Sequence, residues 1–189
     1  MDLGSTLHDY TMGFRNTFSF FNNAVSLFFQ FDYRHGGKFV SYSKQAVNWT
    51  GKDPITTFND RLPFVVPNSV YIDENGEYQE NTIPITTTDL NNYYSGEWND
   101  QAIVLDKTYL KLREVNLSFR IPQKYTQRIL MQSATIALVG NNLWLRTPSE
   151  NNVVDPEIST TSNGMETEFG EIRGYPSLRT FGFKLNLNF

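Results

Sequence analysis

The chain has 189 residues, no cysteine, 16 Lys+Arg against 20 Asp+Glu, and a mean hydropathy of -0.43. These values exclude disulfides, thiolate metal sites and cysteine nucleophiles, and a net charge of -4 argues against a nucleic-acid surface. No apolar run approaches the ~18 residues of a membrane helix, yet Phe, Tyr and Trp make up 15% of the chain, so their placement decides the class.

The opening residues, MDLGSTLHDYTMG, lack a basic stretch followed by an apolar one and do not read as a signal peptide. Either the chain stays in the cytosol or its start lies upstream. A first strand is expected over about 14–21. Phe14, Phe18 and Phe20 share one face, Arg15, Thr17 and Ser19 share the other, and Asn16 breaks the apolar set. Asn22-Asn23 then reads as a tight turn, because asparagine tolerates positive φ. The second strand is expected over 24–34. Val25, Leu27, Phe29, Phe31 and Tyr33 alternate with Ser26, Gln30, Asp32 and Arg34, and Phe28 is the misfit.

Residues 35–108 read as a long polar loop with no helical period. Val70-Tyr71-Ile72 and Glu77-Tyr78-Gln79 flank a DENG turn at Asp73–Gly76, so a local hairpin is expected. A loop of this length carries either its own substructure or a function. The third strand is expected over 109–121. Val115, Leu117, Phe119 and Ile121 alternate with Asn116, Ser118 and Arg120. Leu110 and Leu112 fall out of phase with that set. Either a bulge near Arg113-Glu114 or two apolar contacts on the inner face would account for them. Residues 122–132 suit a short helical turn. A fourth strand follows at 133–145, a second polar loop at 146–175, and a fifth strand at 179–189. In the fifth, Phe181, Phe183, Leu185, Leu187 and Phe189 alternate with Gly182, Lys184, Asn186 and Asn188.

One alternating strand fits a soluble sandwich. Five such strands, each near the ~9–11 residues that cross a bilayer at a tilt, fit a membrane barrel better. The connections also alternate between short and long, as periplasmic turns and extracellular loops do. The expected fold class is therefore all-β, an antiparallel transmembrane β-barrel segment of about five up-and-down strands. Val25, Leu27, Phe29, Phe31, Val115, Leu117, Phe119, Phe181 and Phe183 would face lipid. Tyr33, Tyr109 and Trp144 lie near strand ends and would suit an interfacial girdle.

Catalytic patterns are missing: His8 and His35 stand apart, and no HExxH, phosphate loop or GxSxG elbow occurs. The carboxylates Asp53, Asp60, Asp73 and Glu74 read as solvated loop charge. Asp155 and Glu157 read as a turn around Pro156, with cation binding as the lesser option. No cofactor is expected, and the chain is not expected to be an enzyme. The aromatic loop residues Trp49, Phe58, Phe64, Tyr71, Tyr93, Tyr94 and Trp98 are candidates for sugar stacking or for contact with a partner. From these, Trp49, Tyr93, Tyr94 and Trp98 join Asp155 and Glu157 as candidate ligand or lid-contact residues.

YLKLREVNLSFRIP at 109–122, ATIALVGNNLWLRT at 134–147, DPE at 155–157 and GYPSLRTFGFKLNLNF at 174–189 occur in this order. Together with DYTMGFRNTFSF, LFFQFDYRHGGK and ENGEYQENTIP upstream, they resemble the C-terminus of SusC/RagA-type TonB-linked outer-membrane receptors over essentially the whole chain. The resemblance implies a barrel of about 22 strands with a plugged lumen, of which this chain, 1–189, would be the C-terminal part without the plug. It implies nutrient import across the outer membrane, glycans or peptides, with a SusD-like lipoprotein as lid. It further implies contact with the TonB complex through upstream residues, with outer-membrane lipid, and with the barrel-assembly machinery. Phe189, with Leu187, Leu185 and Gly182, resembles the family's assembly signal. The competing expectation is a secreted soluble β-sandwich that binds carbohydrate, in which the aromatic faces pack between two sheets.

Overall fold

A computed structural model describes residues 3–95, 100–158, 170–172 and 174–189. The chain divides into two compact units. Residues 4–38, 106–158 and 175–189 form a strand unit. The other, here the helical unit, holds 39–105 and the described parts of 159–174.

The strand unit contains β1 (Tyr10–Phe20), β2 (Val25–His35), β7 (Tyr109–Arg120), β8 (Ser133–Arg146) and β10 (Thr180–Asn188). They form one antiparallel five-stranded sheet in the order β1-β2-β7-β8-β10. Each is an expected strand with its ends shifted. β1 starts four residues before the expected Phe14, because Tyr10 and Met12 continue the alternation opposite His35 and Tyr33. The β1–β2 turn runs through Phe21, Asn22 and Asn23, all at positive φ (52°, 53° and 65°). Asparagine accommodates this region; Phe21 adopts it at a steric cost. Between β7 and β8 the chain makes a helical turn, α3 (Gln123–Thr126), and a 3-10 turn over Gln127–Ile129.

Register carries the apolar face across the whole sheet. Phe18, Leu27, Leu117, Leu138 and Phe183 lie side by side on successive strands, and so do Phe20, Val25, Phe119, Ile136 and Leu185. No second sheet covers this face among the described residues. Phe181 and Phe183 are 79% and 72% exposed, and Val25, Leu27, Phe29 and Phe31 are only half-buried. The opposite face carries rows such as Ser19, Ser26, Ser118, Ala137 and Lys184. Phe28 stays the misfit, opposite Thr17 and Asn116. The outer edges of β1 and β10 have no strand partner among the described residues.

The phase problem in β7 is resolved by a bulge. Against β2, Gln30 pairs with Glu114 but Phe31 pairs with Leu112, so β7 has one extra residue there. The extra residue turns Leu110 and Leu112 onto the face of Val115, Leu117 and Phe119. It also turns Tyr109, Lys111 and Arg113 to the polar face, which overturns the girdle expectation for Tyr109. That side chain is 1% exposed. Trp144 does lie on the apolar face, opposite Leu112, and is 42% exposed.

The 35–108 stretch, which shows no helical period in the sequence, carries its own substructure in the helical unit, short helices included. That unit contains β3 (Lys38–Ser41), α1 (Tyr42–Trp49), a kinked 3-10 segment over Pro54–Arg61, β4 (Val70–Ile72), β5 (Tyr78–Glu80), α2 (Thr87–Tyr94), a 3-10 turn at Asp100–Ile103, β6 (Val104–Asp106) and β9 (Gly170–Glu171). β6, β3 and β9 form a small sheet around Phe39, Ile103 and Leu105. The expected hairpin is present with its register moved by one, Ile72 facing Tyr78 and Val70 facing Glu80. Its turn is fixed by the Asp73 carboxylate, which accepts from the backbone of Asn75 and Glu77.

α2 is eight residues long and depends on its start. The Thr86 hydroxyl accepts from the Asp89 backbone, and the Asp89 carboxylate accepts from the Thr86 backbone, a complete capping box. Thr86→Ala is expected to destabilise α2 by about 1 kcal/mol. Hydrogen exchange of the Asp89–Asn91 amides checks this, and unchanged protection would rule it out.

Candidate functional site

Three features of the molecule are candidates. The first is the uncovered apolar face of the sheet, described above.

The second is an ion cluster on the polar face. The bulge and the pleat bring Tyr109, Lys111 and Arg113 to one side of β7, next to Asp32 and Arg34 of β2. The chain after β8 returns to this side with a turn around Pro156. Glu157 N and Ile158 N donate to Asp155 Oδ1 and Asp155 O. The turn reading is therefore what the structure contains. Its carboxylates are engaged within the chain. Lys111 Nζ, 1% exposed, donates to Asp155 Oδ2 at 2.8 Å and to Glu157 Oε2 at 2.7 Å. Arg113 donates to Glu157 with two nitrogens, at 2.7 and 2.8 Å, and its Nε reaches Asp32 Oδ2 at 2.7 Å. The Tyr109 hydroxyl donates to Glu157 Oε1 at 3.1 Å. Three cations, Arg34, Lys111 and Arg113, thus meet three anions, Asp32, Asp155 and Glu157. Buried charge is tolerated here because it is matched and hydrogen-bonded.

Glu157 is strongly affected by its charged neighbours. The paired Arg113 guanidinium, against the opposing effect of burial, and then Lys111 hold its carboxyl down to about 2 from an ordinary 4.5. Because the folded value is depressed, its stabilising contribution is complete above about pH 5 and is lost as pH falls toward 2. With a side chain one-quarter exposed, the loss is on the order of 2–3 kcal/mol. Glu157→Gln should flatten this part of the stability–pH curve. Urea unfolding at pH 3 and pH 6 reads the difference, and a variant as acid-sensitive as the parent would count against the assignment.

The third feature belongs to the helical unit. Phe58, Phe64, Leu90, Tyr93 and Tyr94, with Ile55, Val66, Pro67, Ile85 and Asp89, line a largely apolar cavity of about 440 Å³. Phe58 and Phe64 rings are 4.7 Å apart and Tyr93 meets Tyr94 edge-on at 5.2 Å. The Asn48 amide donates to the Tyr94 carbonyl and ties α1 to α2. Sequence reasoning named four of these aromatics but missed the helices that gather them. Trp49 stands apart at 65% exposure and does not line the cavity. Tyr71 lies on β4, also exposed. Trp98 lies outside the described residues. Of the loop carboxylates, Asp53 is buried, pairs with Lys44 at 2.6 Å and caps Ile55. Asp73 holds its turn. Both are structural.

An open antiparallel sheet, apolar on one face and ionic on the other, is the wall arrangement of outer-membrane β-barrel proteins. The comparisons with known proteins narrow this class. No family model matches the chain. Two TonB-dependent receptors of Formosa agariphila are similar to it over 99% of its length, at 25% and 23% identity, and the chain covers 18% and 17% of them. Three structures of the RagAB peptide transporter share the fold, with TM-scores of 0.52, 0.55 and 0.55 at 15, 17 and 13% identity. They match 87, 95 and 97% of this chain, which covers 16 to 17% of theirs. The resemblance read in the sequence holds: throughout its length the chain is similar to a segment of TonB-dependent receptors, and it spans less than a fifth of the relatives it matches.

Proposed function

We propose that the chain forms five adjacent wall strands, the C-terminal ones, of a TonB-dependent outer-membrane transporter that imports glycans or peptides. The carrying observation is the apolar row that runs unbroken across five strands and that no other element covers among the described residues. Val25, Leu27, Phe29, Phe31, Val115, Leu117, Phe119, Phe181 and Phe183 meet lipid, and the ionic face meets a wet lumen. The long connections lie outside the cell and the short ones in the periplasm. Gly182, Leu185 and Leu187 on the open edge strand β10, with Phe189 directly after it, act as the assembly signal. The cavity that Tyr93 and Tyr94 line, and the exposed Trp49, contact ligand or a SusD-like lipoprotein lid, and energy comes from TonB through other parts of the receptor. The sandwich alternative is disfavoured, because it needs a second sheet over the apolar face.

The intact receptor, tagged and extracted from outer membranes, tests this reading. A surface lipoprotein should co-purify in near-equal amount, and loss of the receptor should abolish growth on one glycan or peptide source. Recovery in the soluble fraction, without a lipoprotein, would sink it.

A further inference from the structure

Beside the ion cluster lies a second cavity, of about 280 Å³, lined by residues of β7, β8, the 147–155 stretch and the approach to β10. Its charged lining residues are Lys111, Asp155 and Arg179. Lys111 and Asp155 neutralise one another. Arg179 is exposed and makes no ion pair or hydrogen bond among the described residues. One positive charge is therefore left over in the lining.

Asn151 supplies the second observation. It lines the same cavity and is 2% exposed. Its Oδ1 accepts from Val154 N at 3.0 Å, which only an oxygen can do, so the amide orientation is fixed. Its backbone is also engaged, with the carbonyl accepting from Thr147 Oγ1 and the N–H donating to Pro148 O. Nδ2 alone has no partner. A buried amide that leaves two N–H donors unused is unusual in a folded protein and calls for an acceptor.

We infer that this cavity is a binding site for a carboxylate group, held by the Asn151 Nδ2 donors and the Arg179 guanidinium. A planar guanidinium with a neighbouring amide donor matches the two oxygens of a carboxylate. A neutral hydroxyl ligand would use the amide and leave the arginine charge without a counterpart. Two sources offer this chemistry, the terminal carboxylate of a peptide and the carboxylate of an acidic sugar. The site does not depend on the transport reading, since a purified receptor can bind or fail to bind whatever its role in uptake.

Calorimetric titration of the intact receptor with four probes tests the site: a tripeptide with a free C-terminus, the same peptide amidated at that end, glucuronate and glucose. The carboxylate-bearing member of one pair should bind at least tenfold more tightly than its neutral counterpart. Selective peptide binding assigns the terminal carboxylate, and selective glucuronate binding assigns the acidic sugar. Arg179→Gln should weaken that binding tenfold or more. Asn151→Asp, which keeps the acceptor for Val154 N–H but replaces the donors with a negative oxygen, should abolish it, and a melting curve of the same variant separates lost binding from lost folding. Equal affinity within both pairs, no binding of any probe, or full binding by both variants overturns the assignment.

Discussion

Asp155→Ala is expected to be the most damaging single truncation in the strand unit, costing about 3–4 kcal/mol of stability. Lys111 is buried to 1% and loses a partner at 2.8 Å. Glu157, at 2.7 Å, remains, which holds the cost toward the lower end of the range for a broken buried pair. The double variant Lys111→Met/Asp155→Leu should recover most of the loss, since a matched apolar pair replaces a matched ionic one. Thermal unfolding of the receptor that carries this segment reads both. A single-variant loss below about 1 kcal/mol would mean that the pair behaves as a solvated surface bridge.

Leu117→Arg tests the other face. Leu117 sits in β7, between Leu27 and Leu138 in the apolar row, three residues before the strand end. At the middle of a bilayer an arginine on the lipid side costs about 2–4 kcal/mol, and near the interface about 0–1 kcal/mol. Leu117→Arg should sharply reduce the folded receptor in outer membranes, whereas Ser118→Arg, one residue along on the polar face, should be tolerated. Phe20→Arg, at the end of β1, should fall between them. That gradient with depth separates lipid from a protein core. A sandwich interior would penalise Leu117 and Phe20 by burial alone, and a flat response toward the strand end would contradict the membrane assignment.

The strands were legible because alternation is a local property, and each face of a strand repeats every second residue. The DENG hairpin was legible for the same reason, since Asp73 fixes its own turn. Tyr109 was misplaced because alternation counts residues and cannot see that one of them is looped out. The bulge was one of two readings, and only pairing with β2 decides it. α1 and α2 escaped notice since eight residues give barely two turns of periodicity. The Thr86-x-x-Asp89 signature was available in the sequence and marks the start of α2. The ion cluster had no local signal at all. Lys111 and Asp155 are 44 residues apart, and nothing in either neighbourhood announces the other.

The parity of the sheet has a consequence for the whole receptor. Five strands, each antiparallel to the next, leave β1 and β10 running in the same direction at the two borders. Such a sheet cannot be joined border to border with antiparallel bonds. An all-antiparallel cylinder closes only with an even total. In the proposed barrel the strands outside this chain must therefore be odd in number, and any shortening or duplication of the wall must remove or add strands in pairs. Hairpins, not single strands, are the unit in which this wall can change size.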